Sequence, residues 1–358
     1  MNKQEICQSL KSVSKEDAIK EWNTLKSTSP VDLENLSGRS KLGCNLIDYF
    51  FFHHRLETIG NKGIHFFDFL ENIEQYKSKK YIQTLLSYCE KNNRYQDNLV
   101  KKYYYCYGLC FGRVNAFKIT NALQIYNKFK PCRVLDPFAG FGGRLLGCLL
   151  KHISYIGIDM NTDLQSAYEK VFEFYDEMSH VSLPFLENAN IEKANIEMHY
   201  EDAANIDYSL MDYDMVFTSP PYYNIEIYKH SVKKSEEVWN LFYKNIFEKV
   251  WSHLKPNGHF IININEKIYN KILVPLLGQA GEMILLKKST RNNYKEYIYV
   301  WCKTNSVSNS VSNSVSNSVS NSVSNSVSNS VSNSVSNSVS NSVSNSVSNS
   351  VSKIPSIN

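Results

Sequence analysis

Val134-Leu135-Asp136-Pro137-Phe138-Ala139-Gly140-Phe141-Gly142-Gly143-Arg144-Leu145-Leu146 reads as a strand, a glycine turn and a helix. Apolar residues run into an acid, Pro137 and small residues break the strand, and an apolar helical pattern resumes at once. Glycine at 140 and 142 lets the backbone approach a ligand where a Cβ would clash. The helix that follows presents oriented N–H groups at its start. Ile153 to Asp159 then reads as a second strand ending in an acid, a place that suits a ribose diol.

Outward from this stretch, helix and strand alternate. Phe117–Phe129 is predicted helical, 132–136 a strand, 141–151 a helix, 153–159 a strand and 163–178 a helix. Ile196–Tyr200 and Tyr213–Thr218 read as strands, Val238–Leu254 as a helix, His259–Asn263 as a strand and Ile268–Leu277 as a short helix. Met283–Lys288 and Tyr297–Trp301 close as strands. Such alternation predicts an α/β, doubly wound sheet. The last two strands have no helix between them and should pair antiparallel.

Residues 1–115 read as mainly helical. Ser14-Lys15-Glu16-Asp17 resembles a capping box, Ala18, Ile19, Trp22 and Leu25 follow at helical spacing, and Pro30 ends the pattern. Leu46–Leu56, Ile64–Leu70 and Tyr81–Cys89 are further helix candidates, separated by Gly60 and Gly63. From Asn305 to Ser352 the tetrapeptide Asn-Ser-Val-Ser repeats without interruption. One valine per repeat cannot offset an ordering cost of roughly 1–2 kcal/mol per residue. The expected organisation is therefore a helical region at 1–115, an α/β domain at 116–304 and a disordered low-complexity tail at 305–358.

The second informative stretch is Ser219-Pro220-Pro221-Tyr222, at the end of the apolar run Tyr213–Thr218. Methylating a planar exocyclic amine on a base requires acceptors for its N–H groups. Ser219 Oγ offers one. Pro220 and Pro221 fix φ, donate no N–H and leave carbonyls to accept another. Tyr222 offers a face on which an extruded base can stack.

Together, in this order and each after a strand, the two motifs resemble those of the class I S-adenosylmethionine-dependent methyltransferases. Within that class they are similar to the amino-methyltransferases that act on cytosine N4 or adenine N6 of DNA. The likeness runs from about Phe117 to Lys303. It implies a Rossmann-like seven-stranded methyltransferase sheet and S-adenosyl-L-methionine as cofactor. It implies that Asp136, Phe138, Gly140 and Gly142 line the methionine part of that cofactor. Asp159 would bind the ribose hydroxyls, Met160 would pack on the adenine, and Asp202 would face the adenine amino group. Asp202 also reads as a plain turn acid. Phe117 would close over the methionine end, or serve as a core residue. Ser219, Pro220, Pro221 and Tyr222 would carry catalysis, by direct methyl transfer to a flipped base with no covalent intermediate. Serine in the loop's first place is commoner among cytosine-N4 members, which favours that base. A dinucleotide dehydrogenase is the poorer reading, since a third glycine would be needed where Leu145 stands.

DNA is the expected partner, RNA the alternative. A non-catalytic binding protein of the same fold is a third reading, opposed by the intact loops. No long segment separates Tyr222 from the last strand, so target recognition falls to residues 1–115, to the loop Ile225–Glu237 or to a partner protein. The chain has 358 residues, 42% hydrophobic and 13% aromatic, with a net charge of +4. The basic excess sits in residues 1–115, with 17 Lys/Arg against 13 Asp/Glu, while 116–304 carry 21 against 22. Lys101-Lys102-Tyr103-Tyr104-Tyr105-Cys106-Tyr107 mixes basic and aromatic residues, which suits nucleic-acid contact or a buried helix face. The eight cysteines lack metal spacing, and His53-His54 lack further ligands, so no metal is expected. Scattered cysteines, no signal-like start and no long apolar run point to an intracellular protein, cytoplasmic or nuclear, away from membranes. The repeat tail fits a viral or eukaryotic-microbe origin.

Overall fold

Short strands that are apolar on both faces need cover on both. β1 (Arg133–Asp136), β2 (Ser154–Ile158), β3 (Ile196–His199), β4 (Met215–Thr218), β5 (His259–Ile264), β6 (Glu282–Lys288) and β7 (Lys295–Cys302) have this character at their centre, where all four residues of β4 are buried. They form one seven-stranded sheet in the order β3-β2-β1-β4-β5-β7-β6. β3, β2, β1, β4 and β5 run parallel, β7 pairs antiparallel with β5, and β6 antiparallel with β7. This is the Rossmann-like doubly wound sheet expected from the alternation, with the predicted antiparallel closing pair. The computed structural model describes residues 1–60, 62–181, 194–224, 233–288 and 295–304. The repeat tail and positions 225–232 of the predicted recognition loop lie outside them.

Among the described residues, eight helices lie within 1–115: α1 (Lys3–Leu10), α2 (Lys15–Ser27), α3 (Pro30–Glu34), α4 (Cys44–Glu57), α5 (Phe66–Glu71), α6 (Ile73–Lys77), α7 (Lys80–Lys91) and α8 (Leu99–Cys110). α2 starts where the capping box predicts: Ser14 Oγ accepts from the Asp17 N–H, and Asp17 accepts from the Ser14 N–H. α9 (Ile119–Phe129), α10 (Gly143–Leu150) and α11 (Gln165–Val181) cover one face of the sheet. α12 (Glu236–His253) and a helical stretch at 266–277 cover the other. That last stretch is not the plain α-helix predicted. Its middle, Tyr269–Leu273, is π-helical, just before Pro275. Proline has no N–H to continue the α pattern, and its ring crowds the preceding turn.

The packing places the N-terminal helices directly on the sheet domain. Trp22 of α2, Leu33 of α3, and Ile47, Phe50 and Phe51 of α4 share one core with Leu145, Leu146, Tyr168 and Phe217. α4 has a second apolar side. Phe52 and Leu56 join Phe66, Phe69, Tyr103 and Tyr107 in a separate core. Three successive phenylalanines are thus divided between two cores, as the 3.6-residue turn requires. Tyr103 and Tyr107 are buried there, so these two aromatics of the 101–107 run are spent on packing.

This contact explains much of the glycine turn. A Cβ on Gly142 would stand 2.7 Å from the Phe51 ring, and Gly142 has φ +67°. A Cβ on Gly143 would stand 2.0 Å from the Phe117 carbonyl oxygen. Backbone cannot yield as a flexible side chain can. Gly143→Ala is therefore expected to destabilise the protein by about 3 kcal/mol, read as a lowered midpoint in urea unfolding. An unchanged midpoint would show that this backbone approach is not tight.

Candidate active site

At the carboxyl ends of β1, β2 and β4 the sheet opens onto a cavity of about 950 Å³. Open α/β sheets bind ligands at that edge, and the size is near the top of the roughly 300–1,000 Å³ usual for cofactor sites. Phe138 and Gly140 of the turn, Asp159 and Met160 after β2, and Asp202 after β3 reach its wall. So do Phe117 and all four of Ser219, Pro220, Pro221 and Tyr222 after β4. Two separate strand-end loops therefore face one space.

Two expected wall residues lie elsewhere. Asp136 has no solvent exposure and sits behind the wall. A carboxylate that deep needs partners, and it has them. Arg144 Nε donates at 2.6 Å, the Tyr155 hydroxyl at 2.8 Å and Thr218 Oγ1 at 2.7 Å. From behind the wall, Asp136 joins the glycine turn to β2 and β4. Gly142 is also off the wall, and its missing side chain makes room for Phe51.

Asp159 is held by the turn it faces. It accepts from the Gly140 N–H at 2.8 Å and from the Asn161 N–H at 2.9 Å. Desolvation pushes its carboxyl up to about 6, while these two N–H groups pull against that rise. Asp202 is both a turn acid and a wall residue: its Oδ1 accepts from the Ala204 N–H at 2.9 Å.

The Ser-Pro-Pro-Tyr loop differs from expectation at one acceptor. The Tyr243 hydroxyl donates to the Pro221 carbonyl at 2.6 Å. Of the two proline carbonyls predicted to be open to a substrate, Pro221's is thus already engaged. Tyr223, the next residue, is fastened to α12. Its N–H donates to the Tyr243 hydroxyl at 2.9 Å, its hydroxyl donates to Asn240 Oδ1 at 3.1 Å, and it is no part of the wall.

Several wall residues were not found from sequence. Trp239 and Phe242 of α12 line the cavity, with Lys234 Nζ 4.8 Å from both ring centroids. Ser37, Gly38, Arg39 and Leu42 reach the wall from the segment before α4. Lys118 Nζ holds that segment by donating to the Gly38 and Ser40 carbonyls at 2.8 and 3.1 Å. Arg144 lines the cavity beside its ion pair, 5.1 Å from the Phe117 ring. A lone charge inside the apolar helix Gly143–Leu150 was its signal, because such a charge needs a buried partner. Asn263 on β5 is another wall residue, 3% exposed. No group of side chains able to hold a metal occurs among the described residues, and no helix among them is long and apolar enough to cross a membrane.

Residues 213–330 match the family model described as DNA methylase. No curated protein matches the chain. Solved structures similar to it include an rRNA methylase from Streptococcus thermophilus, 12% identical, covering 54% of this chain and 99% of that one, with a TM-score of 0.34. TrmN from Thermus thermophilus is 16% identical, covering 52% and 48%, with a TM-score of 0.33. SMU.1697c from Streptococcus mutans, in complex with SAH, is 10% identical, covering 53% and 99%, with a TM-score of 0.34.

Removing the charge from Asp136 would leave Arg144 buried and uncompensated. Asp136→Asn is expected to destabilise the protein by about 3 kcal/mol or more in equilibrium unfolding. Unaltered stability would show that water or a rearranged Arg144 compensates the charge.

Proposed function

We propose that this S-adenosylmethionine-dependent methyltransferase, with its DNA-methylase segment at 213–330, methylates an exocyclic amino group of a base extruded from DNA. Cytosine N4 is favoured over adenine N6. The observation that carries the reading is the Ser219–Tyr222 loop, on the same cavity wall as Gly140, Asp159 and Met160.

The chemistry of the wall fits the cofactor. A carboxylate at the end of β2, anchored to the glycine turn, can accept from both hydroxyls of a ribose. Met160 adds an apolar surface for the adenine. Asp202 adds an acceptor for its amino group. Phe117, Phe138 and Gly140 remain for the methionine portion. S-adenosylmethionine, when bound, supplies an electrophilic methyl group.

The chain's own residues then prepare the nucleophile. Ser219 Oγ and the Pro220 carbonyl accept the amine's N–H groups and turn its nitrogen into the cavity. Tyr222 stacks on the base, which returns about 1–3 kcal/mol against the few kcal/mol that extrusion costs. The serine of the loop supports cytosine as the base. Arg39 and Lys234 at the wall would meet the nucleic-acid backbone, and Arg39 brings the N-terminal region into recognition.

The test is transfer of labelled methyl to unmodified duplex DNA, with nucleoside analysis. N4-methylcytosine is expected, and the Ser219→Ala variant should lose about 100-fold in kcat. Label in structured RNA with none in DNA would overturn the substrate assignment, and N6-methyladenine would overturn the base.

Asp159 yields a pH test. It is ionised above about 6, and a proton on it competes with the ribose hydroxyls. Affinity for S-adenosylhomocysteine should therefore be level above pH 7 and fall about tenfold per unit below 6. Asp159→Asn should bind more weakly and flatten that slope in titration calorimetry. A wild-type affinity level from pH 5 to 8 would remove Asp159 from the ribose site.

A further inference from the structure

Asn263 lies on β5, beside β4, and only 3% of it is exposed. Its amide stands between the catalytic loop and β7. Asn263 Nδ2 donates to the Tyr297 carbonyl at 3.0 Å. A carbonyl oxygen can only accept, so this bond assigns the amide: nitrogen toward β7, oxygen toward the loop.

Everything else follows from that orientation. Asn263 Oδ1 can only accept, so the hydroxyls that meet it must donate. These are Ser219 Oγ at 3.3 Å and the Tyr222 hydroxyl at 3.0 Å. The Tyr222 hydroxyl also lies 3.2 Å from the Asn263 main-chain oxygen, so its one proton is shared between two acceptors of the same residue. Ser219 thus spends its one proton on Asn263, and its lone pairs remain for a group that donates. Without Asn263 the Ser219 hydroxyl is free to rotate and point its proton at the substrate.

We propose that Asn263 is a positioning and specificity residue: it makes Ser219 an obligate acceptor and anchors Tyr222, so that the loop accepts an exocyclic amine and rejects an exocyclic oxygen. This rests on the function proposed above. It adds a reason why amino-bearing bases are chosen over those with a carbonyl in the same place.

The experiment is a double-mutant cycle between Asn263 and Ser219, read in kcat on duplex DNA, with S-adenosylhomocysteine affinity measured alongside. Asn263→Leu should lower kcat about 30- to 100-fold and leave that affinity within about twofold. In a Ser219→Ala background the same change should cost no more than about tenfold, because only the hold on Tyr222 remains to be lost. Asn263→Asp keeps acceptor oxygens for both hydroxyls and should recover to within about tenfold of wild type. If Asn263→Leu does not fold, Asn263→Gln carries the test. It keeps the amide but displaces the oxygen, and the same loss and the same non-additivity are expected. Wild-type kcat in Asn263→Leu or Asn263→Gln, losses that multiply with Ser219→Ala, or an Asn263→Asp protein as slow as Asn263→Leu would each overturn the proposal. Wild-type protein that methylates no DNA would instead overturn the function it rests on.

Discussion

One buried carboxylate ties the site together. Asp136 Oδ2 faces Arg144 and Tyr155, and Oδ1 faces Thr218 and the Phe138 N–H. These partners come from the helix after the glycine turn, from β2, from β4 and from the turn itself. Thr218 immediately precedes Ser219, so the wall that suits a cofactor and the loop that suits a base share a single anion. Isolated, that anion would be several kcal/mol unfavourable; paired and fully hydrogen-bonded, it is tolerated. The arrangement fixes the register of two loops whose reacting partners must meet within a fraction of an ångström. Through the Phe117 ring, the same ion pair also reaches the segment that leads into α9.

The sheet was readable from sequence because β1, β4 and β5 are covered on both faces and therefore appear as unbroken apolar runs. The start of α2 was readable because capping is local chemistry. What stayed hidden depends on contacts between distant residues. Gly142 looks like a ligand-contact position. The space beside it is filled by Phe51, and no local pattern announces that. The Pro221 carbonyl looks open until Tyr243 is placed beside it. Trp239 and Phe242 sit at core spacing on α12 yet edge the cavity. Asn263 did leave a trace, as a lone amide in the apolar strand Phe260–Ile264. Such a residue demands partners, but its sequence position alone does not say which.

The N-terminal helices are structural members of the enzyme rather than an appendage. Trp22, with rings of Phe174 and Tyr175 at 5.7 and 6.2 Å, and Phe51, 5.2 Å from Tyr168, bury large aromatic surfaces against α11. Each such side chain contributes about 1.5–3 kcal/mol by leaving water. The same packing carries the segment from Ser37 to Leu42 onto the cavity wall, where Lys118 fastens it. A region that reads as a possible recognition module is therefore also part of what shapes the pocket.

The strand order carries a consequence for how the molecule comes into being. Among the described residues β7 is the last strand, yet it lies inside the sheet, between β5 and β6. It also supplies the Tyr297 carbonyl that orients Asn263. During synthesis the ribosome releases β1 to β5 first, with the Ser-Pro-Pro-Tyr loop already made but its neighbour's amide unassigned. Inserting a central strand closes long-range contacts late, the slow kind of folding event. A growing chain thus holds Ser219, Tyr222 and Asn263 well before β7 arrives to set the amide that lies between them.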